Sequence, residues 1–330
     1  MEYEKDNLLD ILNRSKNKKI AVIGDIMLDR YRWGNHARMS PEAPVPVVEI
    51  DSTSESLGGA ANVFNNLYFL GAKPILIGVV GNDEAGEIIK RKVQTENLPT
   101  DGIFTDSTRI TSVKERVISN GQHVVRLDWE GRSKISEEIQ RKIIDYLNTI
   151  IRDLDAVIIQ DYNKGVVDSE LIDKIVAKCI ANETILAVDP KLENFFSYKK
   201  TTLFKPNVLE TEKALGMNIK TQSDIRKAGR ELLDRMECGC VLITQGRDGM
   251  TLFHKNGTVE QIQSRVRKVS DVSGAGDTVI ASFTLALTAG ASYVEAAQIA
   301  AISAGIVCEE VGVVPVEIRK IREYLENQSE

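Results

Sequence analysis

Short apolar runs recur along this chain, with amphipathic stretches between them. Lys19–Gly24 (KIAVIG) is apolar and β-branched, and Ala60, Val63, Phe64 and Leu67 then return at helical spacing. Ile75–Val80, Ala156–Gln160, Ile185–Asp189 and Cys240–Thr244 repeat the short apolar pattern. Helical periodicity over 84–96, 136–151, 168–181 and 222–236 separates most of them. A strand covered on both faces reads as a continuous apolar run, so this alternation predicts βαβ units around a buried, mainly parallel sheet. Ligands of such sheets sit outside the carboxyl ends of the strands, which is where chemistry is to be sought.

Two stretches break the rhythm. Pro44–Ile50 (PVPVVEI), after a Pro-rich approach, reads as an edge strand. Thr111–Trp129 reads as two strands turning at Asn120-Gly121, a hairpin signal. Neither has a helix beside it, so they are expected to pair as a small sheet outside the main one, as a lid, a dimer contact or two peripheral hairpins. No repeat, low-complexity tract or linker divides the chain. The expectation is one domain over 1–330, with the lid supplied in pieces by about 31–57 and 106–130.

Composition narrows the partners. The chain has 330 residues, 42 Lys+Arg against 48 Asp+Glu and a net charge of -6, which disfavours general binding to a nucleic-acid backbone. Aromatics at 5% make a base-stacking platform a poor fit as well. Cys179, Cys238, Cys240 and Cys308 form neither a disulfide framework nor a paired metal motif, and the three histidines are scattered. The amino terminus, MEYEKDNLLD, lacks the basic and apolar regions of a signal peptide. No run approaches the roughly 18 apolar residues of a membrane span. A cytoplasmic location with no membrane partner is expected.

The most informative stretch is Asp271–Asp277, D-V-S-G-A-G-D. Gly274, Ala275 and Gly276 make a small turn, and Val279, Ile280, Phe283 and Leu287 then mark one helix face. Unpaired N–H groups and the helix dipole make such a start an anion site. Asp277 in the first turn suits a site where a carboxylate takes a hydroxyl proton beside a transferring phosphoryl group. A plain helix start, with Asp placed well against the dipole, explains the same residues. The turn lacks the third glycine of a dinucleotide fingerprint, and no Walker-type phosphate loop occurs, so hydride transfer and P-loop chemistry fall away.

The segments G-D-I-M-L-D-R-Y (24–31), S-P-E-A-P-V-P-V (40–47), G-G-A-A-N-V (58–63), K-P-N-V-L-E (205–210) and D-V-S-G-A-G-D-T (271–278) together resemble the ribokinase-like (PfkB) carbohydrate kinases. R-L-D (126–128), D-Y-N-K-G (161–165) and D-P-K (189–191) extend the likeness, in order, over about 15–316. Within that family the set is most similar to kinases of D-glycero-D-manno-heptose 7-phosphate. The fold implied is a three-layer α/β/α domain with a mainly parallel central sheet and a β-sheet lid.

By this resemblance Asp277 is the catalytic base, and Gly274, Ala275 and Gly276 supply the anion hole. Asn207 and Glu210 match an N-x-x-E motif that positions Mg²⁺ and the ATP triphosphate, largely through water; taken alone, Asn207 reads as a helix N-cap. Thr244 and Gly246 match nucleotide contacts, or alone a strand end and turn. Asp29 matches the carboxylate that holds sugar hydroxyls, and Gly58, Gly59 and Asn62 match the helix start that grips the sugar. Arg38, Arg126, Lys164 and Lys191 are candidates for a distal phosphate, and each reads equally as a solvated charge. Asp271 and Ser273 resemble the monovalent-cation loop of ribokinase.

The resemblance therefore implies transfer of the ATP γ-phosphate to O1 of heptose 7-phosphate, in the supply of ADP-heptose for lipopolysaccharide core. A homodimer through the lid is implied too. No H-x-G-H nucleotidyltransferase motif is present, so a separate phosphatase and nucleotidyltransferase are expected for the bisphosphate product. Another sugar or phosphosugar kinase of the family, such as a fructose-phosphate kinase, is the nearest alternative. A non-catalytic sugar-phosphate sensor is the alternative from a different class.

Overall fold

The computed structural model describes residues 5–266 and 269–327. In chain order the strands are β1 (Lys19–Gly24), β2 (Ile26–Met39), β3 (Pro46–Gly59), β4 (Lys73–Gly81), β5 (Ile103–Asp106), β6 (Ser112–Ser119) and β7 (Gln122–Trp129). They continue with β8 (Ala156–Gln160), β9 (Ile185–Asp189), β10 (Leu203–Phe204), β11 (Cys240–Thr244), β12 (Met250–His254) and β13 (Val259–Ile262). The helices are α1 (Lys5–Arg14), α2 (Ala60–Phe69), α3 (Glu84–Thr95), α4 (Glu137–Ile150) and α5 (Ser169–Ala181). After them come α6 (Val208–Leu215), α7 (Gln222–Met236), α8 (Ala275–Thr288), α9 (Tyr293–Val307) and α10 (Ile318–Glu326).

Nine strands form one sheet in the order β13-β12-β11-β10-β9-β8-β1-β4-β5 among the described residues. It is parallel from β11 to β5, and β12 and β13 add an antiparallel edge. Alternation along β1 shows why its sequence is apolar throughout. Ile20 and Val22 enter the core shared with α1, α2, α8 and α9. Ala21 and Ile23 enter the core shared with α4, α5 and α7 on the opposite face. The three-layer α/β/α arrangement follows from that two-sided burial.

A second sheet stands apart, in the order β3-β2-β6-β7. Its β6–β7 hairpin turns at Asn120 and Gly121, both with positive φ (51° and 76°), as the Asn-Gly signal requires. The edge strand anticipated at 44–50 is the first part of the longer β3. The unexpected partner is β2. A single residue, Asp25, separates it from β1, so the chain leaves the main sheet and enters the small one without a loop. Charged residues along β2 (DRYRWGNHARM) hide it from an apolar-run search.

Candidate active site

The carboxyl ends of the parallel strands bring the chemistry together. Gly24 ends β1 opposite Gln160, and Gln160 ends β8 opposite Asp189. The start of α8 faces this row. Gly274 adopts φ +81°, and a Cβ on it would come 2.8 Å from the Asn62 amide nitrogen, so glycine is required on both counts. No side chain caps α8. The Ala275 N–H donates to the Val272 carbonyl (3.3 Å), and the N–H groups that follow it stand at the positive end of the helix dipole.

Asp277 lies in the first turn of α8 and is buried. Its Oδ2 accepts from Asn62 Nδ2 (2.7 Å), and its Oδ1 accepts from the Tyr162 hydroxyl (2.8 Å) and Gln160 Nε2 (3.1 Å). Burial pushes its carboxyl up from the ordinary 3.8 to about 6; the Asn62 bond opposes this and the Asp189 carboxylate adds to it. Gln160 Nε2 also donates to Asp189 Oδ2 (3.1 Å), and the buried Lys205 ammonium pairs with that same oxygen at 2.9 Å. Lys205 Nζ is also 3.7 Å from where a Cβ on Gly276 would sit, which sets a fixed cation behind the glycine turn.

The residues expected to hold the sugar gather at the junction of the two sheets. Asp29, buried on β2, pairs with Arg116 of β6. Burial raises its carboxyl and the guanidinium opposes the rise. Gly58 passes so close that a Cβ there would lie 2.2 Å from Asp29 Oδ2, and Gly59 precedes α2, which carries Asn62. Tyr31 of β2 accepts from the Val313 N–H at 3.0 Å, which ties the small sheet to the segment after α9.

On the other side, Asn207 and Glu210 form a reciprocal capping box on α6, as the N-cap reading anticipates. Glu210 Oε1 also receives the Lys191 ammonium, which lies 5.3 Å from the Tyr162 ring centroid. Thr244 bridges to Asn207 as a parallel strand residue. A cleft of about 380 Å³ runs from Asn207, Thr244 and Gly246 past Val272 to Ala275 and Gly276. It joins the α6 cap to the glycine turn of α8.

The distal-phosphate candidates separate. Lys191 is in the cluster. Lys164 is buried and pairs with Glu130 Oε2 at 2.6 Å; Lys114 and Arg132 join the same carboxylate. Against the cost of burial, Lys164 above all holds Glu130 down at about 2. Arg126 lies exposed on β7 and forms two hydrogen bonds to Asp128 (2.9 and 2.8 Å), while Arg38 is exposed near the far end of β2. Arg126 stands opposite Arg116 in the β6–β7 register, whereas Arg38 lies at the other end of β2 from Asp29. Asp271 accepts from the N–H groups of Ser273 (2.9 Å) and Gly312 (3.1 Å).

The pfkB family carbohydrate kinase profile matches residues 17–319. The chain belongs to the pfkB family of carbohydrate kinases. Members are phosphotransferases that act on a sugar hydroxyl. The chain is 40% identical over 328 residues to the Bifunctional protein HldE of Desulfatibacillum aliphaticivorans, covering 99% of this chain and 67% of that protein. It is 39% identical over 295 residues to the HldE of Helicobacter pylori (strain Shi470), covering 89% and 64%. The chain thus spans about two thirds of the length of these curated relatives. In fold it is similar to phosphofructokinase-2 from Escherichia coli solved with substrates and products (TM-score 0.78, 19% identity, 95% of this chain and 100% of that one). Arabidopsis thaliana ribokinase complexed with ribose and ATP gives a TM-score of 0.73 at 17% identity, covering 94% and 99%.

Several residues of this kinase's polar cluster carry no role in the sequence reading. Asp189 and Lys205 open the D-P-K and K-P-N-V-L-E segments without a function attached, Gln160 lies outside every motif, and the sheet order makes the three neighbours. Arg116 is hidden because its partner Asp29 is 87 residues away. Asp25 had a signal, since a charged residue directly after an apolar strand is at the ligand end of the sheet.

Among the described residues, no helix is long and apolar enough to cross a membrane.

Proposed function

We propose that this kinase transfers the γ-phosphoryl group of ATP to O1 of D-glycero-D-manno-heptose 7-phosphate, giving the 1,7-bisphosphate. The observation that carries the reaction is the buried Asp277, bonded to Asn62 of the sugar-side helix and standing in the uncapped first turn of α8. Identity of 40% to an HldE relative, and the ordered motifs similar to heptose 7-phosphate kinases, support the sugar.

In this reading Asp277 accepts the proton of the attacking hydroxyl. The N–H groups around Gly274–Gly276 and the Lys205 ammonium stabilise charge on the phosphoryl oxygens. Asp29 and Asn62 orient the sugar hydroxyls. Lys164, Lys114 and Arg132 provide a cationic rim suited to a distal phosphate, with Glu130 holding them in its absence.

ATP with Mg²⁺ supplies the phosphoryl donor and charge neutralisation. Both Glu210 oxygens are engaged, one by the Asn207 N–H and one by Lys191. No group of three His, Cys, Asp or Glu suited to a metal occurs among the described residues. This donor set suits a Mg²⁺ held through water and phosphate oxygens. The same reading takes Asp271 as a monovalent-cation contact: although burial opposes it, the N–H bonds from Ser273 and Gly312 hold its carboxyl below the ordinary value. The small sheet acts as a lid and as the contact of a homodimer. A phosphatase and a nucleotidyltransferase would consume the product.

A coupled ADP-release assay across heptose 7-phosphate, fructose phosphates and ribose tests the substrate. Preference for an unphosphorylated sugar overturns it. Asp277→Asn is expected to abolish turnover while leaving nucleotide binding nearly intact, and substantial residual turnover removes Asp277 from the role of base.

A further inference from the structure

The loop after β8, D-Y-N-K-G (161–165), is held more firmly than its connecting role requires. Asp25 accepts three backbone N–H groups from it and its continuation: Tyr162 (2.7 Å), Lys164 (3.2 Å) and Val166 (3.2 Å). Asp161 accepts the Asn163 N–H (2.8 Å) and the Tyr198 hydroxyl (2.7 Å). Asn163 and Gly165 both take positive φ (53° and 85°), which bends the loop tightly over the strand end. The Tyr162 side chain it projects has its ring beneath the Lys191 ammonium and its hydroxyl on Asp277 Oδ1.

A carboxylate oxygen offers two lone-pair positions. Oδ1 of Asp277 has both occupied, by Tyr162 and Gln160, whereas Oδ2 has one occupied, by Asn62. We propose that Tyr162, anchored by Asp25, is a positioning residue that locks Oδ1 of Asp277 and leaves Oδ2 as the oxygen that receives the substrate proton. This rests on the reading of Asp277 as the base.

Other arrangements of charge act on the same carboxylate, and they are distinguishable. Asp189 faces it from the end of β9, Lys205 from the segment after β10, and Lys191 from the loop after β9; Asp29 of β2 bears on Tyr162. Among these titratable groups Tyr162 alone is bonded directly to Asp277, beside the neutral amides of Gln160 and Asn62. Burial, then the Asp277 carboxylate, push the Tyr162 hydroxyl well above its ordinary 10, so it stays a donor throughout the working range. It cannot serve as an alternative base at neutral pH.

Tyr162→Phe keeps the ring and the cation above it and removes only the hydroxyl. Measured over a pH series, kcat with the sugar phosphate is expected to fall on the order of tenfold at neutral pH, with KM for ATP unchanged. The acid limb of kcat/KM is expected to move to higher pH, because the lost donor favoured the ionised base. A purely space-filling Tyr162 would leave that limb in place, and an unmoved limb with wild-type kcat overturns the proposal. If Tyr162→Phe does not fold, Asp25→Asn is read on the same profile: a limb moved upward supports the anchored hydroxyl, and an unmoved one overturns it. Asp277→Asn, run alongside, separates the two claims. An inactive Asp277→Asn with an unaltered Tyr162→Phe removes the positioning role alone, whereas an active Asp277→Asn removes the base itself.

Discussion

The Asn62 amide donates to Asp277 Oδ2 at 2.7 Å, across 215 residues of sequence. It couples α2, which carries the proposed sugar-side amide, to α8, which carries the proposed base. Thr278 reinforces the join by donating from its hydroxyl to Asn66 Oδ1 at 3.1 Å. Under the proposed roles, registration of acceptor and base is built into the contact of α2 with α8.

Asn62→Asp replaces a neutral donor by a carboxylate against a carboxylate. Like charges at this distance cannot both ionise easily, so the pair takes up a proton at higher pH than Asp277 does alone. The expected result is a loss of more than about tenfold in kcat/KM at pH 7, partly recovered as pH rises. A pH–rate profile superimposable on the wild type would show that the contact does not govern the base.

The raised Asp277 carboxyl has a stability consequence with a definite sign. A group at about 6 when folded and 3.8 when unfolded binds protons better in the folded state. Its contribution favours folding fully below pH 3.8 and is lost as pH rises through 6. At pH 8 the ionised carboxylate therefore costs the fold on the order of 3 kcal/mol. Asp277→Asn is expected to raise Tm at pH 8 and to do so less, or not at all, at pH 4. Thermal melts at the two pH values measure this, and an equal change at both would contradict it.

The sheet was legible because its strands are buried on both faces: Ile20 and Val22 face one core and Ala21 and Ile23 the other, leaving no polar gap in the run. The hairpin at Asn120-Gly121 was legible because the turn demands positive φ at both positions. By contrast β2 carries Arg30 and Arg32 paired with Glu55 and Glu115, so its polar positions are satisfied by partners distant in sequence. The site divides in the same way. Asp277 and the glycine turn announce themselves locally. The contacts among Lys205, Asp189 and Gln160 emerge when parallel strands align their ends, although two of the three stand in recognisable segments.

Lys205→Met tests the buried pair. The ammonium compensates the Asp189 carboxylate, and both groups are almost inaccessible. Removing one partner leaves a buried charge alone, at a cost of about 3–5 kcal/mol. Denaturant unfolding is expected to report a loss of that order, and Lys205→Met combined with Asp189→Asn is expected to recover part of it. No recovery in the double variant would mean that the cost of losing Lys205 does not come from stranding Asp189.

Gly58→Ala acts on the acceptor alone. The added Cβ would lie 2.2 Å from Asp29 Oδ2, so the carboxylate must turn away from its place beside Arg116. Steady-state kinetics are expected to give a KM for the sugar raised about tenfold or more, corresponding to the loss of one charged hydrogen bond. The KM for ATP should hold steady, since the cleft from Asn207 to Gly276 is untouched. Equal changes in both constants would argue against Asp29 as a sugar ligand.

The outer strand of the small sheet bears on the proposed homodimer. On β7, Trp129 is 58% exposed, and Val124, Val125 and Leu127 are exposed with it at an unpaired sheet edge. An apolar edge of this kind invites association with another strand or face. Trp129→Glu and Leu127→Glu introduce charge there without entering the main core. Sedimentation velocity is expected to find a dimer for the wild type and a monomer for the double variant, with the far-ultraviolet spectrum unchanged. A wild-type monomer at micromolar concentration, or a dimer indifferent to both substitutions, would mean that β7 is not the contact.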